Sequence, residues 1–129
     1  MIDPPRVKLL LVDDDVAFGE MSRRRLEHLG YEVDFHRGGF GATQKIKTGL
    51  YALVLLDFNM PGLSGESLVE SWGEGERPAT VFYSSASEAE LAAVVARLGL
   101  AGFISKSASL EELGRRLAEL TRGHKPAST

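Results

Sequence analysis

Four places along this chain hold residues that could do chemistry together. Asp13, Asp14 and Asp15 follow the apolar run Val7–Val12, and Asp57 follows Ala52–Leu56. Ser84 and Ser85 follow Thr80–Tyr83, and Lys106 lies just past Ala101–Ile104. Two or three carboxylates held close repel one another and call for a cation. The chain has no cysteine, so the donors on offer are oxygens and the cation is hard: Mg²⁺, or Mn²⁺ in its place. A carboxylate ordered beside such a metal can act as a nucleophile toward phosphorus. Lys106 is a compact cation suited to pairing first with Asp57 and then with a phosphate. A serine hydroxyl nearby can donate to a new phosphoryl oxygen. Each residue alone has a plainer reading: Asp13 or Asp15 as a helix cap, the serines as a turn, the lysine as a solvated side chain. Their shared position at the ends of apolar runs favours the joint one.

That joint reading needs elements that bring the run ends together. Val7–Val12 lacks strict alternation, so it reads as a strand covered on both faces. A helix is expected over residues 17–29, with Ala17, Met21, Leu26 and Leu29 inward and Gly30 as the stop. Residues 31–35 form a second strand and 39–47 a weak helix. Ala52–Leu56 is apolar throughout and belongs at the centre of a parallel sheet. Met60-Pro61-Gly62 is a turn, and Ser64 caps a helix to Trp72. A fourth strand spans residues 80–83, and an alanine-rich helix spans 88–98. A fifth strand covers 101–104. Ser109, with Glu112 three residues on, caps a last helix to Leu120, whose inward face is Leu110, Leu113, Leu117 and Leu120. Five βα units in this order give a three-layer, doubly wound α/β domain. Right-handed crossovers gather all strand ends on one edge, where ligands of such sheets bind.

The totals agree with one domain: 129 residues, 43% hydrophobic and 26% charged. The expected organisation is an N-terminal extension over residues 1–6, the domain over 7–120, and a tail or linker start over 121–129. No apolar run approaches the roughly 20 residues that span a bilayer. The first residues lack a signal peptide's layout, so a cytoplasmic location is expected. The net charge is −3. The one basic run, Arg23-Arg24-Arg25, has Glu20 and Glu27 beside it, which reads as a solvated helix face and not as a nucleic-acid footprint. His28, His36 and His124 share no spacing and receive no catalytic role.

The segments LLLVDDD, LVLLDFNMPGLSG and GLAGFISKSASLEEL resemble those of the receiver domain of bacterial two-component response regulators, in the same order and at similar spacings. The resemblance covers nearly the whole chain. It implies a five-stranded parallel sheet in the flavodoxin-like order 2-1-3-4-5. It implies Asp57 as phosphoacceptor, Asp14 as a direct Mg²⁺ ligand, Asp13 acting through water or as a second ligand, and Asn59 lending its backbone carbonyl. Lys106 would contact the phosphate. Phe103 would stand at the aromatic switch position, without the hydroxyl of the more common tyrosine. The switch hydroxyl is Ser84 by its separation from Lys106, with Ser85 as the alternative because it precedes Ala86. Ser107 follows Lys106 where the family often has proline, so the geometry of that loop is open.

The resemblance further implies a phosphorelay switch and not an enzyme with turnover on outside substrates. Its partners would be a histidine kinase or phosphotransfer protein and a downstream output domain or protein. A homodimer through the face of the fourth helix, fifth strand and fifth helix is a further contact of this kind; nucleic acid and membrane are not expected to bind directly. Two rivals are a phosphorylation-silent scaffold that works by binding and an aspartyl-nucleophile phosphatase. The latter lacks a DxD pair around the nucleophile and room for a cap domain.

Overall fold

The computed structural model describes residues 6–73 and 77–122. The expected tail from residue 123, His124 and most of the expected N-terminal extension lie outside the described residues. Along the chain run β1 (Lys8–Asp13), α1 (Val16–His28), β2 (Glu32–Arg37), α2 (Ala42–Ile46), β3 (Leu53–Leu56), α3 (Gly65–Trp72), β4 (Ala79–Ser84), α4 (Glu88–Leu98), β5 (Gly102–Ser105) and α5 (Leu110–Leu120). The strands form one five-stranded sheet in the order β2-β1-β3-β4-β5, and every pairing is parallel.

Successive strand residues point to opposite faces, and here both faces are covered. Leu10, Val12, Val54, Leu56 and Phe82 pack with Leu68, Val69 and Leu91 of α3 and α4. Leu9, Leu11, Leu53, Leu55, Val81 and Tyr83 pack with Leu26 of α1 and Leu113 and Leu117 of α5. Two covered faces are the reason the central strands read as unbroken apolar runs. Each fully buried leucine contributes about 1.5–3 kcal/mol of transfer free energy. That makes these two layers the main support of the sheet edge on which the candidate residues stand.

Four of the helices start on a side-chain cap. Asp15, Ser64, Ser87 and Ser109 accept from the amides of Phe18, Ser67, Glu90 and Glu112 at 3.0–3.2 Å. Caps of this type are worth about 1 kcal/mol each.

Three local expectations need correction. In α1 the inward residues are Gly19, Ser22 and Leu26, with Phe18 and Leu29 half-buried against the core. Ala17 and Met21 are exposed, because the missing side chain of Gly19 lets the helix close on the Phe35 ring of β2 on that side. The second helix shrinks to one turn, Ala42–Ile46. Gly38 and Gly41 take positive φ there, which delays helix entry. In α5 Leu110 sits at the exposed rim, while Leu113 and Leu117 are fully buried.

No helix among the described residues is long and apolar enough to cross a membrane. Two residues of the basic run have partners within the protein. Arg23 pairs with Glu20 and Glu27, and Arg25 donates to the Ala108 carbonyl at 2.9 Å.

Candidate functional site

The C-terminal ends of β1, β3, β4 and β5 meet at one edge, and backbone hydrogen bonds tie them together. The Asp57 amide donates to the Val12 carbonyl at 2.9 Å, and the Lys106 amide donates to the Ser84 carbonyl at 3.0 Å. The Lys106–Ser107 peptide is trans. The loop after β3 is held by a close approach. Gly62 takes φ +81°, a conformation that glycine adopts without strain. Gly65 lies so near β3 that a Cβ there would stand 2.4 Å from the Asp57 carbonyl oxygen, and its amide donates to the Phe58 carbonyl at 2.9 Å. The segment Met60-Pro61-Gly62, expected as a turn, thus returns the chain to start α3 directly against the Asp57 backbone. Met60 is buried beneath it.

Asp13, Asp14 and Asp57 can each turn a carboxylate oxygen to within 4.8 Å of the others. Asp13 and Asp57 are buried, Asp14 is half-buried and Asp15 is exposed. Asp15 spends its side chain on the cap of α1, which agrees with the plainer reading of that residue. The Asp13 Oδ1 accepts from the Asp15 amide at 2.9 Å. Its Oδ2 is buried and forms an ion pair with Lys106 Nζ at 2.8 Å. Lys106 Nζ is 3.4 Å from Asp57 Oδ1. Thus one ammonium faces a cluster of three carboxylates.

The electrostatics follow from that imbalance. Burial, and then the Asp13 charge, push the Asp57 carboxyl up to about 6, with Lys106 opposing. Burial works against the Lys106 charge, but Asp13 and Asp57 outweigh it and hold the ammonium above its ordinary range. An excess of negative charge at a buried edge and an all-oxygen donor set together fit a divalent hard cation.

The two serines differ. Ser84 is buried and its Oγ accepts from the Ala86 amide at 3.2 Å, which leaves its own proton available to donate. Ser85 is exposed. Asn59 is exposed on the loop after β3. Phe103 is half-buried against the core layer on the α3–α4 side, next to Phe82 in register. Its carbonyl accepts from Arg116 at 3.2 Å. His36 contacts the Phe40 carbonyl at 2.7 Å, and Trp72 of α3 donates to Thr43 of α2 at 2.9 Å.

Two features escape a reading of the sequence. Lys106 sits nearer to Asp13 than to Asp57, and the Phe18 ring lies against Lys106, with Nζ 4.5 Å from its centroid. An aromatic in the first turn of a helix carries no local signal of a lysine far along the chain.

A family model described as the response regulator receiver domain matches residues 9–118. Among curated proteins, the chain is 27% identical over 117 residues to the transcriptional regulatory protein QseB of Escherichia coli O157:H7, covering 90% of this chain and 53% of that protein. It is 33% identical over 123 residues to the response regulator MprA of Mycobacterium bovis, covering 93% and 53%. The chain spans about half the length of the curated relatives it matches. Among solved structures, the non-phosphorylated HemR receiver domain of Leptospira biflexa superposes with a TM-score of 0.80 at 28% identity, covering 95% of this chain and 100% of that one. The receiver domain of the response regulator NarL of Mycobacterium tuberculosis gives 0.76 at 26% identity, covering 94% and 100%.

Proposed function

Because this chain belongs to the response regulator receiver domain family, we propose that it is a phosphorelay switch that accepts a phosphoryl group on Asp57 in a Mg²⁺-dependent reaction. The observation that carries this reading is the cluster of Asp13, Asp14 and Asp57 at one sheet edge with Lys106 against it. Asp14 and Asp57 would hold the metal directly, with the Asn59 backbone carbonyl, and Asp13 would hold it directly or through water. A bound Mg²⁺, or Mn²⁺ in its place, supplies charge neutralisation for the phosphoryl oxygens.

The chain's own residues divide the remaining work. A phosphohistidine of a histidine kinase or phosphotransfer protein is the proposed donor. An Asp57 Oδ attacks phosphorus in line, the P–N bond breaks, and the imidazole nitrogen leaves with the electron pair and takes up a proton. The product is an acylphosphate on Asp57. Lys106 is placed to pair with its oxygens. Ser84, buried and with a proton to give, is the proposed switch hydroxyl in preference to exposed Ser85. Water later attacks phosphorus and restores the carboxylate, releasing inorganic phosphate. The domain thus acts on itself and not on outside substrates.

Phosphorylation draws Ser84 inward, which opens space for Phe103 to turn against Phe82. The α4–β5–α5 face is then repacked and read by an output domain, an output protein or a second copy. This is a two-state surface biased by one local charge event. Residues 7–120 are the proposed switch unit, and residues 121–129 a tail or the start of a linker. The proposed setting is the cytoplasm, without direct contact to nucleic acid or membrane.

The test is incubation with acetyl phosphate, with and without Mg²⁺, followed by intact mass. One added phosphoryl group of about 80 Da, dependent on Mg²⁺ and absent from Asp57→Asn, is the expected result. No adduct under conditions that label another receiver domain, with no binding of beryllofluoride, would overturn it in favour of a silent scaffold.

A further inference from the structure

We propose that Phe18 is a positioning residue for Lys106: its ring face holds the ammonium in the cleft between Asp13 and Asp57. The role in phosphoryl transfer rests on the reading above; the role in placing Lys106 does not. Three observations converge. Lys106 Nζ stands 4.5 Å from the Phe18 ring centroid, within the range at which an ammonium is attracted to an aromatic face. The same nitrogen is 2.8 Å from Asp13 Oδ2 and 3.4 Å from Asp57 Oδ1, so the ring is a third contact of the ammonium beside the two carboxylates. The Lys106 side chain is only 18% exposed, which weakens the competition from water that makes exposed contacts of this type small.

The ring is itself held in place. The Phe18 amide donates to the capping carboxylate of Asp15 at 3.0 Å, which fixes where α1 begins. Against the ring packs Tyr83, fully buried on β4, with the two centroids 5.6 Å apart and the planes tilted by 46°. Tyr83 directly precedes Ser84 on that strand. A lysine side chain has four rotatable bonds and loses much freedom when ordered. A preformed aromatic wall limits the positions that Nζ can take before a phosphoryl group arrives. An aliphatic residue of similar size could pack on Tyr83 but presents no negative ring face to the cation.

The experiment compares the full chain with its Phe18→Leu and Phe18→Tyr variants. The first reading is the proton resonance of the Lys106 ε-methylene, identified by its loss in Lys106→Ala. The ring current predicts an upfield shift in the wild type, kept in Phe18→Tyr and lost in Phe18→Leu. The second reading is the initial rate of Mg²⁺-dependent labelling by acetyl phosphate, taken beside the Mg²⁺ dissociation constant. Phe18→Leu is expected to be slowed about three- to tenfold with Mg²⁺ affinity unchanged, and Phe18→Tyr to be within about twofold of wild type. An unshifted ε-methylene in the wild type overturns the proposal whether or not any variant folds. Equal rates for wild type and Phe18→Leu, or equal losses in both variants, also overturn it. A wild type that shows the shift but takes no label refutes the phosphoryl-transfer reading and leaves the positioning of Lys106 standing.

Discussion

Replacing Asp57 by asparagine should stabilise the metal-free chain, and only above mildly acidic pH. The Asp57 carboxyl is raised from 3.8 to about 6, first by burial and then by Asp13. A carboxyl raised on folding favours the folded state while it is protonated. Its contribution is complete below the unfolded value near 3.8 and is lost as pH climbs through about 6. A tenfold change in proton affinity is worth about 1.4 kcal/mol. With Asp57 ionised, the folded metal-free protein therefore carries a penalty of about 3 kcal/mol at roughly pH 7.5. Asparagine removes the charge but keeps a polar group in the same buried place, so the expected gain is about 1–3 kcal/mol. For a domain of this size that is roughly 4–12 °C in Tm. Urea unfolding in EDTA, followed by Trp72 fluorescence at several pH values, reads the effect. The Asp57→Asn advantage should be near zero at about pH 4, grow through about pH 6 and level off above it. Added Mg²⁺ should stabilise the wild type and narrow the gap. An advantage that is absent at neutral pH, or equally large in acid, would refute the claim that crowded, buried charge raises Asp57.

Gly65→Ala places a methyl group 2.4 Å from the Asp57 carbonyl oxygen. It should cost about 1–3 kcal/mol and lower labelling by acetyl phosphate together with Tm, whereas the same change at exposed Gly73 should leave labelling intact. Ser84→Ala should slow Mg²⁺-dependent labelling several-fold and Ser85→Ala should not, because only Ser84 is buried at the edge; the reverse ranking would move the switch hydroxyl to Ser85. Lys106→Ala removes the cation that offsets Asp13 and Asp57. It should lower stability by about 1–3 kcal/mol yet tighten Mg²⁺ several-fold in calorimetry, and weaker Mg²⁺ binding would contradict that charge balance.

The shared edge could be inferred from residues alone because parallel strands buried on both faces leave a plain mark, VKLLLV, ALVLL and the residues that end them; the strand order followed from the family resemblance. The helix caps at Ser64 and Ser109 were equally readable, since a cap is a local bond between near neighbours. The inward face of α1 was not. Hydropathy favoured Met21, but the helix turns Gly19 and Ser22 inward, with Gly19 against the Phe35 ring of β2, and small residues at a packing contact carry no hydropathy signal. At the site, residue types announced the carboxylates and the lysine. The closer pairing of Lys106 with Asp13, the ring of Phe18 and the difference between Ser84 and Ser85 depend on distances across several elements. No spacing in the sequence encodes them.

The most direct measurement is chemical trapping of the phosphoryl site. The full chain, labelled with acetyl phosphate in Mg²⁺, is reduced with borohydride, which converts an aspartyl phosphate to homoserine, and its peptides are sequenced by mass spectrometry. Homoserine at position 57, and at no other aspartate, is the expected result. Homoserine at Asp13 or Asp14, or label that survives in Asp57→Asn, would contradict the assignment of Asp57 as the acceptor.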